Sequence, residues 1–479
     1  MTKSRDDSKV NKSLQALMRA LPAAINDPFR PKYHFLPPAN WMNDPNGTIF
    51  YRGEYHLFYQ QNPYKPTWGK MQWGHAKTAD LVHWQHLPMA LVPDGFPGEV
   101  QCWSGCCVIA PGDIPTIFYT SMNAPALLSH AERFSQQWVA TSDAKMIVWE
   151  KSNCNPVLHE RKTHPGGFIP RQWRDPYIWR AGDRWYMVLG GREPEEAYGC
   201  VFLYRSSDLY DWEYLGVLST FRDAPRKSIE CANYFPLDGK YVLLVSPYTQ
   251  VSYAVGDFQD NRHTGEEWHV FDHSLKYYAT NTYYDDQSRT IVVGWIRAQG
   301  RSGWAGCLSL PRVISLDQSG QLRIAPAKEL AQLRTAHSRE EFKLDRATPT
   351  TQGQGVRGDC VEIFAEYDLQ TAGVVGFKLI DDEQVHLICY DFERELFRAV
   401  DETASLQFPQ GNKLSLHIFI DHSVIEIFIN SRECFTATIY PELVDRHLLE
   451  IIPYFENASG AVSLDYWKLR SIGLDEHLT

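Results

Sequence analysis

A unit that recurs three times limits the folds open to this chain: a carboxylate, two strands joined at a glycine, and a tryptophan that closes the unit. Asp44, Asp175 and Glu230 open the copies NDPNGTIFYRGEYHLFYQ, RDPYIWRAGDRWYMVLGG and IECANYFPLDGKYVLLVS. Turn glycines follow at Gly53, Gly182 and Gly239. The closing tryptophans are Trp84, Trp212 and Trp268, so the copies span 40, 37 and 38 residues from acid to tryptophan. Aromatic and β-branched residues around a glycine turn favour antiparallel strands. Two looser copies fill the gaps, one from Trp103-Ser104-Gly105 to Trp149, the other from Tyr277-Tyr278-Ala279 through Ile291 to Trp295. Five units of about 40 residues, each of four short strands, predict a five-bladed β-propeller around a central channel. If the acids open the innermost strands, blades one, three and four bring them to one mouth of that channel.

The blades account for residues 31–322, which leaves room in a 479-residue chain for a second domain. Within residues 1–30, Leu14, Leu17, Met18 and Leu21 fall at helical spacing, so a short amphipathic helix is expected to pack on its own chain. Residues 323–338 read as a short helical linker. From 339 to 479 the strands alternate without the blade repeat, as in Leu414–Asp421 and Val424–Ile429, joined tightly at His422-Ser423. Such strands with no helix between them predict a β-sandwich, and the whole chain reads as all-β.

A formal charge of -11 argues against a nucleic-acid partner, which requires a basic face. No apolar run of about 18 residues and no basic-then-apolar leader is present, so the expectation is a cytoplasmic protein without a membrane span, monomeric or homodimeric. Ten cysteines without a CxxC pair read as reduced, mostly buried thiols. Cys102, Cys106 and Cys107 cluster, but strand neighbours point to opposite faces and no histidine joins them at ligand spacing, so no metal is expected.

Three carboxylates at one mouth suit glycoside hydrolysis. One acid attacks the anomeric carbon or activates water, another protonates the leaving oxygen, and a third can stabilise the oxocarbenium-like charge. The two main roles need different surroundings, because a proton donor requires a raised pKa and a nucleophile must stay ionised. Glu230, between Ile229 and Cys231, has the more apolar sequence neighbours and reads as the donor; Asp44, among polar residues, reads as the nucleophile. Asp-Pro alone opens many turns. The weight therefore rests on three acids in one repeat register.

WMNDPNG at Trp41 to Gly47, WRDP at Trp173 to Pro176 and Glu230-Cys231 resemble the acid-bearing motifs of the β-fructofuranosidases, glycoside hydrolase family 32. The resemblance extends to Gln60-Gln61-Asn62-Pro63, Trp73-Gly74-His75-Ala76, Trp103-Ser104-Gly105 and Gly303-Trp304-Ala305-Gly306. It implies a propeller followed by a β-sandwich, Asp44 as nucleophile forming a fructosyl-enzyme, Glu230 as acid/base and Asp175 as transition-state stabiliser. Retention would follow, with the Asp44 and Glu230 carboxyls roughly 5 to 5.5 Å apart. It further implies that Asn43, Gln60, Trp68, Trp103, Ser104 and Arg174 bind a terminal fructose and that Trp304 packs on a ring edge, with no cofactor. Amides such as Asn43 and Gln60 can both donate to and accept from sugar hydroxyls.

The leaving-group side departs from the family pattern. Lys276-Tyr277-Tyr278-Ala279 stands where a DFYA-like stretch is expected, and Ala232 follows Glu230-Cys231 in place of proline. Sucrose, sucrose 6-phosphate and short fructo-oligosaccharides all stay open as substrates. A basic run of Arg222, Arg226 and Lys227 precedes Glu230, either meeting a phosphate or forming a solvated loop. Fructosyl transfer from the Asp44 adduct to a sugar acceptor is an alternative, and a non-catalytic sugar-binding propeller a second one. The presence of all three acids favours the enzyme.

Overall fold

The computed structural model of the chain describes residues 7–93, 98–123, 134–159, 171–192, 198–345, 353–381, 384–408, 411–440 and 449–472. Residues 1–6 of the expected N-terminal extension and 473–479 of the expected sandwich lie outside them.

Four successive antiparallel strands recur five times. Blade one comprises Asn40–Tyr51, Glu54–Asn62, Gln72–Thr78 and Gln85–Leu91, and blade two Glu99–Ala110, Ile114–Asn123 and Phe134–Ser142, with Trp149–Lys151 and Leu158–His159 on its outer edge. Blade three comprises Arg171–Ala181, Arg184–Arg192, Gly199–Ser206 and Glu213–Phe221, and blade four Glu230–Leu237, Lys240–Ser246, Ser252–Gly256 and His269–Val270. Blade five comprises Tyr277–Tyr284, Thr290–Gln299, Arg312–Leu316 and Leu322–Pro326. The first strands of the five neighbour one another in cyclic order, the fifth returning to the first, so the ring is closed. A further strand, Trp304–Leu308, pairs with Thr290–Gln299 and runs parallel to Asn40–Trp41, which joins blades one and five into one sheet. Local turn chemistry supports the hairpins: Arg52-Gly53 and Asp238-Gly239 both have positive φ at the two central positions, as the favoured two-residue turn demands.

The C-terminal part is a sandwich of two six-stranded sheets. Their inner faces bury Ile363, Phe377, Ile418, Ile427 and Leu464. The stretch expected to be a helical linker is mostly strand. Leu322–Pro326 ends blade five, Lys328–Leu333 is one 3-10 helix, and Arg334–Leu344 begins the sandwich. Leu322 and Ile324 are buried on one face with a period of two, and that alternation decides the strand.

The helix Asp7–Ile25 packs on its own chain, as expected, but on a different face. It buries Val10, Ser13, Ala16, Leu17 and Ala24, whereas Leu14 and Met18 are 50% and 45% exposed. Val10 meets Met89 and Val92, and Leu17 and Ala24 lie against Ile296 and Trp304. Leu17 is shared with the expected face, but the buried stripe runs through Val10, Ser13 and Ala24, which turns Leu14 and Met18 toward solvent. Among the described residues no helix is long and apolar enough to cross a membrane.

A buried charge network joins the two domains. His34, entering blade one, places Nδ1 2.8 Å from Asp421 Oδ2 and Nε2 3.0 Å from Glu426 Oε1, all three side chains fully buried. Arg312 of blade five bridges Glu426 at 2.7 Å and Asp272 at 2.8 Å. The backbone N–H groups of Lys32, Tyr33 and His34 donate to the Asp421 carboxylate. Cys106 and Cys107 point to opposite faces of their strand, into different apolar clusters.

Candidate active site

Every innermost strand carries a β-bulge near its start. Ladder pairing slips between Met42 and Pro45, Cys102 and Gly105, Arg174 and Tyr177, Glu230 and Asn233, and Tyr278 and Asn281. A bulge inserts one extra residue, bends the strand and turns a side chain off the regular pleat. At three of them the backbone is left-handed: φ is 62° at Asp175, 46° at Cys231 and 48° at Ala279. The bulges also revise the register inferred from the repeat. Pairing resumes one residue after Asp44, two after Asp175 and three after Glu230, so the acids are staggered along their strands.

The channel mouth opens as a cavity of about 280 Å³ lined by Asp44, Asp175 and Glu230 together with Asn43, Gln60, Trp68, Trp103, Ser104 and Arg174. Asp44 accepts hydrogen bonds from Ser104 Oγ at 2.6 Å and Asn43 Nδ2 at 2.8 Å, and Trp41 Nε1 fixes the amide by donating to Asn43 Oδ1 at 2.8 Å. Burial raises the Asp44 pKa, the two hydrogen bonds oppose that, and the charge of Glu230 adds to it. Asp175 is almost fully buried and accepts the Cys231 N–H at 3.0 Å. Its carboxyl is pushed up to about 7, chiefly by burial, with Arg174 opposing and the charges of Glu230 and Asp44 adding. Cys231 Sγ lies 3.7 Å from an oxygen of each aspartate.

Glu230 is held differently. Arg174 Nη2 and the Tyr248 hydroxyl, at 2.8 Å, donate to Oε1, and the Tyr278 hydroxyl approaches Oε2 at 2.9 Å. The side chain is 21% exposed, against 6% for Asp175. The apolar setting read from Ile229 and Cys231 is therefore not what Glu230 meets, because Ile229 packs into an apolar cluster, the Cys231 thiol faces Asp44 and Asp175, and a guanidinium and two phenols surround the carboxylate. Flat aromatic surface stands at the rim, where Trp68 is 54% exposed and meets Trp103 edge-on with ring centroids 6.3 Å apart.

Of the expected site residues only Trp304 is elsewhere. It is fully buried behind the cavity wall with Phe29, Leu36 and Ile296, in the strand that closes the ring. Trp295 lines the cavity instead, along with Tyr248, Tyr278, Arg226 and Arg297. Arg226 belongs to the basic run already noted, and Tyr278 to the departing Lys276–Ala279 stretch. Tyr248 and Trp295 have no sequence signal beyond their residue type.

The profile of the glycosyl hydrolases family 32 N-terminal domain matches residues 34–326, and that of the family 32 C terminal matches 329–468. The chain belongs to glycosyl hydrolase family 32. Its relatives include the sucrose-6-phosphate hydrolase of Escherichia coli, 31% identical over 88% of this chain and 91% of that protein. The sucrose-6-phosphate hydrolase of Zymomonas mobilis is 32% identical, covering 87% of each. Among solved structures, a mutant of the Bombyx mori GH32 beta-fructofuranosidase BmSUC1 in complex with sucrose superposes with a TM-score of 0.83 at 27% identity, covering 98% of this chain and 99% of that one. The family 32 chain is thus a glycoside hydrolase of the β-fructofuranosidase type.

Proposed function

We propose that this family 32 enzyme releases a terminal β-D-fructofuranosyl unit from sucrose-like substrates with retention, Asp44 acting as nucleophile, Glu230 as acid/base and Asp175 as the anchor for fructose hydroxyls. The observation that carries the reading is the division of three carboxyls around one cavity into two settings. Asp44 and Asp175 share the Cys231 thiol, while Glu230 stands apart under Arg174, Tyr248 and Tyr278.

In the first step an Asp44 oxygen bonds to the anomeric carbon as the bond to the leaving oxygen breaks, and Glu230 gives that oxygen its proton. In the second, water attacks the same carbon, Glu230 takes the water proton, and the Asp44 ester is released as carboxylate. Ser104 and Asn43 aim Asp44 through the hydrogen bonds they donate. Asp175, titrating at about 7, can accept from one sugar hydroxyl and donate to another. A cavity of about 280 Å³ is at the small end for a ligand site, which suits one buried sugar with its leaving group at the rim. Ten free cysteines, eight of them buried, support a reducing compartment such as a cytoplasm, to be checked by cell fractionation. A monomer or homodimer is distinguished by light scattering.

The test is hydrolysis of sucrose, 1-kestose and inulin, with glucose and fructose assayed separately. Wild type should free fructose. Asp44→Asn should lose roughly 10⁴-fold or more in kcat, and Glu230→Gln about 10²- to 10⁴-fold with partial rescue by azide. Glucose in excess over fructose at high sucrose would mark transfer to sugar acceptors. Binding of all three sugars without cleavage would replace the enzyme by a sugar-binding propeller.

A further inference from the structure

Among the described residues, one cluster of metal-binding side chains stands away from the catalytic cavity, where the sandwich meets the segment that follows the N-terminal helix. Asp359 occupies the bend at which the chain passes from strand Val356–Gly358 of one sandwich sheet to strand Cys360–Thr371 of the other. Opposite it lies the hairpin at His422, whose backbone N–H donates to the Asp359 carbonyl at 2.7 Å. One ligand atom from each of Asp359, Cys360 and His422 falls within 4.8 Å of the other two. Neighbouring residues of a regular strand point to opposite faces. Here the bend at Asp359 and a left-handed φ of 51° at His422 bring the three together.

The histidine is already set as a ligand. Its Nδ1 lies 2.9 Å from the Pro28 carbonyl oxygen, which can only accept, so Nδ1 carries the proton. Nε2 then turns its lone pair toward Asp359 Oδ2, 3.1 Å away. Lone pair and carboxylate repel at that distance unless a positive charge stands between them, and either a proton or a metal ion can supply it. The Cys360 thiol favours the metal: it adds nothing to a proton, but it completes a nitrogen, oxygen and sulfur set suited to zinc. A backbone carbonyl on the far nitrogen is the usual support of a metal-bound imidazole. Burial and the charges of Asp421 and Asp359 hold the thiol well above its ordinary range, with Lys32 opposing. A divalent cation relieves such an excess of negative potential.

Distances agree. Tetrahedral zinc with bonds of about 2.0 to 2.3 Å sets its ligand atoms roughly 3.3 to 3.6 Å apart, so the 3.1 Å between Nε2 and Oδ2 fits and the thiol has at most about 1.3 Å to close. All three side chains are partly exposed, which leaves an entry path and room for a water as fourth ligand.

We propose that Asp359, Cys360 and His422 hold a zinc ion, with one position left for water, and that the ion ties the segment after the N-terminal helix to the sandwich. Pro28, whose carbonyl stands behind His422, belongs to that segment, and Ser423 Oγ donates to the next carbonyl, that of Phe29, at 2.7 Å. On binding, the Cys360 S–H bond breaks, its proton goes to solvent and a sulfur–zinc bond forms, with no change of oxidation state. None of the three residues lines the catalytic cavity, so the site does not depend on the fructosidase reading.

The experiment titrates the full chain with Co²⁺ as a spectroscopic stand-in, then with Zn²⁺ against a competing chelator, in a Cys154→Ser background that removes the exposed thiol. One equivalent of Co²⁺ should give tetrahedral d–d bands in the visible and a sulfur-to-cobalt charge-transfer band in the near ultraviolet, both displaced by Zn²⁺. Cys360→Ser should abolish the charge-transfer band. His422→Asn, which tolerates left-handed backbone, should weaken Zn²⁺ binding by at least roughly 100-fold. Asp359→Asn, at a partly exposed bend, should weaken it as well and serves where either other variant folds poorly. Saturating Zn²⁺ should raise the urea midpoint of the parent but not of the variants. A parent protein without the thiolate band at one equivalent has only a His422–Asp359 ion pair, and a band that survives Cys360→Ser puts the metal on another thiol. Either result overturns the proposal.

Discussion

His34→Gln should remove most of the pH dependence of unfolding between pH 6.5 and 9. Both ring nitrogens of His34 face carboxylates, Asp421 at 2.8 Å and Glu426 at 3.0 Å, with no exposed side-chain surface on any of the three. Burial alone would discharge the ring, but the hydrogen bonds and charges of the two acids outweigh it and raise the pKa from 6.5 to about 9. The folded protein therefore keeps a proton that the unfolded chain releases near 6.5. Stability from this group is fully present below pH 6.5 and is lost as pH rises through 9. At about 1.36 kcal/mol per unit, the effect is on the order of 3 kcal/mol. Urea unfolding of wild type and variant at four pH values across the window gives the difference directly. The variant should be less stable by about 3 to 5 kcal/mol at pH 6.5, since it leaves two buried carboxylates short of a partner, and most of that gap should close by pH 9.5. A gap that stays constant with pH would mean that His34 carries no extra proton in the fold, and the charge assignment of the domain seam would be wrong.

Other perturbations reach the site or its supports. A Cβ on Gly190 would lie 2.5 Å from the Ile229 carbonyl oxygen, so Gly190→Ala should displace the strand that carries Glu230 and lower kcat about 10- to 100-fold with the circular dichroism spectrum retained. Arg174→Lys removes the guanidinium that touches Glu230, Asp175 and Tyr248. It should cut kcat/KM by about 10²-fold and, by weakening the pull that keeps the Asp175 pKa down, move that carboxyl above about 7, seen as a pH–rate profile displaced upward. Leu17→Asp, on the buried face of the N-terminal helix, should cost about 2 to 4 kcal/mol in denaturant unfolding, whereas Leu14→Asp on the exposed face should stay within roughly 0.5 kcal/mol of wild type.

The blades were legible because their signals are local. A glycine turn, alternating apolar residues and a closing tryptophan lie within one unit, and so do the motifs that hold Asn43, Asp44, Arg174, Asp175 and Glu230. The stagger of the acids was not, because a bulge is defined against a partner strand and only pairing reveals which residue is extra. The helix face was legible only in part: Leu17 of the spaced apolar set is buried, but a rotation that also buries Val10, Ser13 and Ala24 leaves Leu14 and Met18 exposed, and only the packing partners decide it. Trp304 and Trp295 are nine residues apart on neighbouring strands, and ring closure decides which one reaches the cavity. His34, Arg312 and Glu426 meet from positions far apart in sequence, where no short pattern could announce them.

The pairing of Asn40–Trp41 with Trp304–Ala305 also sets an order in time. A ribosome makes Asp44 first and has all three acids in the chain once Glu230 is complete, but Trp304 lies another 74 residues on. At about 5 to 20 residues per second that is roughly 4 to 15 s. During that interval the Asn40–Trp41 end of blade one's inner strand lacks its parallel partner. The first strand of the ring thus waits for a partner made more than 260 residues later before blades one and five become one sheet.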